Sequence, residues 1–474
     1  MTNSKHQQRE PLSPQNQATR TQEILLSDIK ARVDKVKFEG IARTKDDVLV
    51  NISKPLFDST SFEELVLNVN SVKEKLNRLG GFKGIGVYID ASKGPDATVN
   101  GYEIVYKLVE TGRVTGGVHT YIGNNNTGSL ITAVRLPNVL GRGEAASVEY
   151  QRGTKHTTGF NCALTKPLSP WSSANPILTL SSFQQGADSP WSHYRQMDRG
   201  FILGIASKIG TDVEHAIRWE GVWRDVSCLR DAAFAVREES GHTLKSSIKN
   251  IISKDTRDDR VLPREGGLIR LENEIAGLGG NVGFLKNDLE VQYNVPFLGD
   301  FVLQGTFKAG TVKPTETRID KNRGSSKEKL VTISDRYFLG GPLNLRGFKQ
   351  FGIGPHSEGC ALGADAYWIS GVHIYTPLPF RPGQGGWGDL IRTHFFLNAG
   401  TIGNVHSRSK EDQSDHNRII TTMTNRLRYS AGVGLVVGLN GVARFELSYA
   451  LPLGQQPGDK IDSRLQFGLG VSFV

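Results

Sequence analysis

No stretch of about 18 consecutive uncharged apolar residues occurs anywhere in the 474-residue chain. A bundle of membrane helices is therefore excluded. A membrane β-barrel is not, because barrel strands alternate and keep mean hydropathy low, here −0.32. Cysteine is scarce: Cys162, Cys228 and Cys360 form no C-x-x-C pair, so neither a zinc ribbon nor a disulfide framework is expected. The eleven histidines include no H-E-x-x-H or comparable close pair, and no metal or cofactor is expected. The phosphate-loop and nucleophile-elbow motifs are missing. Gly432, Gly434 and Gly438 sit among alternating strand residues with no helix following, which removes a nucleotide loop. Carboxylates are plentiful, but no spacing singles out an acid–base pair, and no enzyme is expected. The first 22 residues lack an apolar h-region and an Arg-rich amphipathic face, so neither a secretory signal nor a transit peptide is expected. Residues 1–30 read as a disordered polar tail. Lys and Arg exceed Asp and Glu by 57 to 48, but the charge is dispersed and not interleaved with aromatics, so no nucleic-acid partner is expected.

Between residues 31 and 111 the pattern changes type several times. Val36 and Phe38 alternate with Lys35, Lys37 and Glu39, as in a strand. A short helix is expected from Thr44, carrying Val48, Leu49 and Ile52 and stopping near Pro55. Phe62, Leu65, Val66, Val69, Val72, Leu76 and Leu79 mark one face of a longer helix. Thr60–Glu63 and Ser61–Glu64 are alternative capping boxes for it, and Gly80-Gly81 ends it. Ile85, Val87 and Ile89, then Tyr102, Ile104, Tyr106 and Leu108, read as two further strands. The order strand–helix–helix–strand–strand resembles a polypeptide-transport-associated (POTRA) domain. That resemblance implies a module that handles extended polypeptide at a strand edge.

From Arg113 onward no convincing helix is found, only strands. Leu289, Val291, Tyr293 and Val295 alternate with Asp288, Glu290, Gln292 and Asn294. Phe445, Leu447, Tyr449 and Leu451 alternate with Arg444, Glu446, Ser448 and Ala450. Alternation alone fits a soluble sandwich or a barrel. No linker divides the region into sandwich-sized pieces, and a closed barrel leaves no edge to aggregate. The glycine content, 54 of 474, suits bends and crowded wall positions. At roughly 22 residues per strand and turn, residues 112–474 accommodate about 16 antiparallel strands. Lys313–Lys329 and Val405–Arg426 read as long polar loops.

The most specific signal lies between residues 335 and 400. Asp335-Arg336-Tyr337-Phe338-Leu339-Gly340-Gly341-Pro342 leads to Leu345-Arg346-Gly347-Phe348, followed by Gly363-Ala364-Asp365-Ala366-Tyr367-Trp368. A run from Tyr375-Thr376-Pro377 to Asn398-Ala399-Gly400 completes it. These motifs resemble the loop-and-wall signature of the BamA-like outer-membrane barrel-assembly superfamily. The 375–400 run is similar to its mitochondrial branch, the barrel subunits of the sorting and assembly machinery.

The resemblance implies a mainly β fold: a transmembrane barrel of about 16 strands behind one POTRA domain. It implies insertion and folding of β-barrel precursors in the mitochondrial outer membrane, with the POTRA domain in the intermembrane space. The implied partners are precursor polypeptides, other machinery subunits and outer-membrane lipid. The alternative is a passive pore or translocation channel. In the family the R-G-F loop enters the lumen, so Arg346 needs an inner-wall partner there. Strand parity turns Asp365, Tyr367 and His373 inward opposite Trp368, Val372 and Ile374, and His394 and Asn398 inward opposite Phe395 and Leu397. Asp365 is the expected carboxylate, with His373 and Asn398 beside it. A lateral gate is expected between a first strand containing Gly116, Gly117 and Val118 and a last strand containing Gly468, Val471 and Phe473. The last strand also fits the family's barrel-sorting pattern.

Overall fold

The structure, a computed structural model, describes residues 29–470 apart from 94, 96, 124–126, 169–174, 211, 316–330, 379–389, 406–422, 424–425 and 440–442. Residues 1–28 of the polar tail, most of the two long polar loops, Val471 and Phe473 lie outside the described residues.

The N-terminal unit follows the expected order. Strand β1 (Arg32–Glu39) is followed by helices α1 (Asp46–Ser53) and α2 (Phe62–Arg78), then strands β2 (Phe82–Ala91) and β3 (Gly101–Glu110). The sheet order is β1-β3-β2, with β1 parallel and β2 antiparallel to β3. Leu65, Val69, Val72 and Leu76 of α2 meet Leu49 and Ile52 of α1 and Ile104, Tyr106 and Leu108 of β3 in one buried core. Burial of each such side chain contributes roughly 1.5–3 kcal/mol. At the start of α2 the Ser61 side chain accepts from the Glu64 amide at 3.2 Å, while Glu64 accepts from the Thr60 amide and hydroxyl at 2.9 and 2.8 Å. Of the two possible boxes, the Ser61 one forms, and its glutamate reaches one residue further back than usual.

Among the described residues, sixteen strands then make one antiparallel sheet in chain order. They begin with β4 (Thr115–Gly123), β5 (Thr127–Pro137), β6 (Ala145–Gly153), β7 (Thr158–Pro167) and β8 (Ile177–Ser189). Next come β9 (Tyr194–Ile209), β10 (Val213–Cys228), β11 (Gly241–Asp255), β12 (Gly266–Gly280), β13 (Phe284–Phe297) and β14 (Phe301–Pro314). The last five are β15 (Ala366–Pro377), β16 (Ile391–Gly403), β17 (Arg428–Leu439), β18 (Ala443–Gly454) and β19 (Leu465–Gly470). Outward residues such as Phe201, Leu203, Ile205, Val372, Phe395 and Leu447 are exposed and apolar, the lipid-facing skin of a transmembrane barrel. No described helix is long and apolar enough to cross a membrane. Among the described residues a short α-helix, α3 (Phe234–Glu238), interrupts the β region. Five residues are too few to show helical periodicity, which is why the pattern does not reveal it. The sheet curls until β4 and β19 approach each other, yet no ladder joins them among the described residues.

The α+β unit is seated on the turn between β5 and β6. Glu110 accepts from the amides of Arg43 and Thr44, from Arg43 Nε at 3.2 Å and from the Thr44 hydroxyl at 2.8 Å. Arg43 also donates to the Pro137 carbonyl, Asn138 donates to Thr44 Oγ1 at 2.9 Å, and the Lys45 amide donates to the Gly141 carbonyl. One network thus spans the end of β3, the start of α1 and the barrel rim.

Candidate functional site

Between β14 and β15, residues 331–365 lie in the lumen. The first described part is fixed to the β9–β10 wall and the end of α3. Arg224 Nη1 donates to Asp335 at 2.7 Å, Ser334 to Gln196 at 2.6 Å, and Glu239 accepts from the Ile333 amide at 2.7 Å and from Arg336 at 2.6 Å. Leu345 and Phe348 are fully buried in a cluster with Phe284, Leu339, Ile369 and Ile402.

Arg346 is fully buried. Its Nε and Nη2 grip the two oxygens of Glu446 on β18 at 2.5 and 3.0 Å, and Nη1 donates to Asn398 Oδ1 on β16 at 3.1 Å. The guanidinium carbon lies 4.8 Å from the Phe396 ring centroid. Glu446 also receives Arg444 Nη2 at 3.2 Å and the Ser448 hydroxyl at 2.6 Å, with His394 Nδ1 at 3.4 Å. Two buried guanidiniums share one buried carboxylate, an arrangement where a planar bidentate pair is favoured over a point charge. His373 contacts His394 at 2.8 Å, and Tyr375, stacked on His394, accepts from Arg444 at 3.1 Å. The layer is this tight because Gly371 has no side chain: a Cβ there would lie 2.4 Å from His373 and 2.8 Å from Asn398.

The next two loop residues are held by β19. The Gly347 amide donates to Gln466 Oε1 at 2.7 Å, and Gln466 Nε2 donates to the Phe348 carbonyl at 3.0 Å. Phe348 forms an antiparallel bridge with Ile461, and the Asp462 amide donates to the Gly347 carbonyl. The R-G-F segment is thereby clasped to the last two described strands of the barrel.

The structure brings Arg346 and Asn398 into direct contact and sets His373 one hydrogen bond beyond His394. Asp365 takes another role. Its carboxylate accepts from the Val405 amide at 2.6 Å at the rim, six residues along β15 from Gly371, the register partner of Asn398. At about 3.3 Å per residue it stands ~20 Å from the arginine layer. Parity assigns a face of the wall but not a height, and Glu446 takes the place expected for Asp365. The missed residues, Glu446, Arg444 and Gln466, were visible as inward positions of the clearest alternating strand and as the polar first position of the last one. Gly116 and Gly117 pair regularly with Val134 and Ala133 of β5, Val118 is exposed, and Gly468 stands opposite Glu446.

Residues 138–473 match the Omp85 superfamily domain. The Sorting and assembly machinery component 50 homolog B of Xenopus laevis is 41% identical over 93% of this chain and 90% of its own length. The corresponding homolog of Homo sapiens is 40% identical with the same coverage. In fold the chain is similar to BamA from Haemophilus ducreyi lacking POTRA domains 1–3, with TM-score 0.71, 18% identity, 93% of this chain and 84% of that one covered. A barrel of sixteen strands with its R-G-F loop clasped inside, matched along nearly its whole length by these relatives, belongs to the Omp85 superfamily and within it to the sorting and assembly machinery component 50 homologues.

Proposed function

We propose that this protein inserts and folds β-barrel precursors in the mitochondrial outer membrane. Precursors enter through the seam between β4 and β19, with the Arg346 loop behind it on the lumenal side. The α+β unit is its POTRA domain, facing the intermembrane space, and other machinery subunits complete the complex. No cofactor and no covalent chemistry are involved. The observation that supports this reading best is the seam: strands β4 and β19 lie side by side without a ladder among the described residues. Unpaired N–H and C=O groups in lipid cost several kcal/mol each, so such an edge accepts an incoming strand by β-augmentation. The component 50 relatives support the assembly role by name. A passive pore has no use for a charged loop filling its lumen.

A cysteine pair joining Val118 on β4 to a facing position on β19 tests the seam. Oxidation is expected to stop assembly of a radiolabelled outer-membrane barrel precursor and to leave import of helical proteins unchanged. Assembly at the wild-type rate through a cross-linked seam would overturn the mechanism.

A further inference from the structure

We propose that the outer face of β7–β11 carries a binding site for a phospholipid, with its phosphate on Arg199 and one acyl chain in an aromatic groove below. The groove has a volume of about 610 Å³, within the range of small-molecule sites. Phe160, Phe201, Trp219, Trp223 and Leu244 wall it, all exposed on the lipid side of their strands. Its floor is Gly221, where a Cβ would lie 3.0 Å from the indole of Trp219. That indole is pinned by Nε1 donating to Ser246 Oγ at 3.1 Å. The depression is therefore built by a glycine and a fixed ring.

Arg199 stands at its upper edge, opposite Trp223 in the β9–β10 register. Among the described residues the partner of its guanidinium is neutral Gln184, accepting from Nε at 3.1 Å. Below Arg199 the same outward row reads Phe201, Leu203 and Ile205, all apolar and exposed, while Arg195 above it is paired with Asp188. With sixteen residues, β9 is longer than the ~9–11 that cross a bilayer, so its first residues project beyond the hydrocarbon. Arg199 thus sits where headgroups begin. A cation with no described carboxylate within ion-pair distance is satisfied by a phosphodiester, and a net-anionic lipid is favoured because no headgroup cation competes for it.

Native mass spectrometry of the full chain in detergent, with dioleoylphosphatidylglycerol and dioleoylphosphatidylcholine supplied in equal amounts, tests the site. Wild type is expected to retain one phosphatidylglycerol several-fold over phosphatidylcholine. Arg199→Gln should abolish the preference, Arg199→Lys should restore part of it, and Gly221→Leu, which displaces the Trp219 ring into the groove, should lose retention of both lipids. Inorganic phosphate should not displace the lipid. The site is overturned if wild type shows no preference, if Arg199→Gln keeps it, if phosphate alone displaces the lipid, or if a co-purifying polypeptide occupies the groove.

Discussion

Glu446 carries more of the lumenal electrostatics than Arg346, because its carboxylate is shared by two buried guanidiniums. Removing one partner of a buried pair costs ~3–5 kcal/mol by stranding the other charge. Glu446→Gln takes the shared carboxylate from both Arg346 and Arg444, so it should loosen the loop more than Arg346→Ala does. Protease sensitivity of residues 331–365 in detergent checks the order; equal cleavage in the two variants would contradict it. Arg346→Lys should recover only part of the seat, since an ammonium cannot hold both Glu446 oxygens and Asn398 in one plane. The identity of these residues was partly legible in the chain. The R-G-F loop follows from the family resemblance, and Asn398 and the inward face of β15 from period-2 alternation. The height of each residue along its strand depends on register and shear, which one strand's sequence does not encode. Glu446 therefore stands in the place expected for Asp365.

Gln466 is one amide that serves two backbone groups of the loop, on a strand that is otherwise an edge. Gln466→Ala leaves the Gly347 amide and the Phe348 carbonyl without it. A buried group left unsatisfied costs roughly 1–3 kcal/mol. Faster hydrogen exchange at the Gly347 amide, with the α+β unit unaffected, is the expected outcome. At the other end, Glu110 governs how β3 and α1 grip the β5–β6 turn. Burial alone would raise its pKa, but hydrogen bonds from the amides and side chains of Arg43 and Thr44 outweigh burial and lower it to about 2. A carboxyl depressed in the folded state contributes its full stabilisation above its unfolded value near 4.5 and loses it as the pH falls toward 2. A distance-label pair across the α+β unit and the β5–β6 turn should therefore separate between about pH 4.5 and 2. Glu110→Gln should flatten that dependence. Elements of this kind are legible when long and periodic: β1–β3, α2 and the strong barrel strands read directly from the sequence. The Glu110 network does not, because its groups lie up to 94 residues apart and no local pattern joins them.

At the scale of the whole molecule, a lipid-facing skin over a charged lumen means that the protein should stay with membranes through carbonate extraction and require detergent for solubility. Release into the carbonate supernatant would contradict the barrel. The α+β unit is tied to the β5–β6 turn, since the Lys45 amide donates to the carbonyl of Gly141. That residue has φ +83°, and a Cβ there would lie 2.4 Å from the Arg43 carbonyl oxygen. Gly141→Val should therefore detach the unit while leaving the barrel folded, measurable as a gain in mobility of a spin label on α2. The clasp also imposes an order of events on folding. Arg346 finds its carboxylate 100 residues later in the chain, and the Gly347 amide finds Gln466 119 residues later. Loop closures of that length come late, after local hairpins have formed. Until β18 and β19 are in place, the arginine has no Glu446 to meet and cannot leave water without cost. A chain ending before Glu446 would leave the Arg346 charge without its carboxylate, so the loop reports, by docking or failing to dock, whether the polypeptide has been completed.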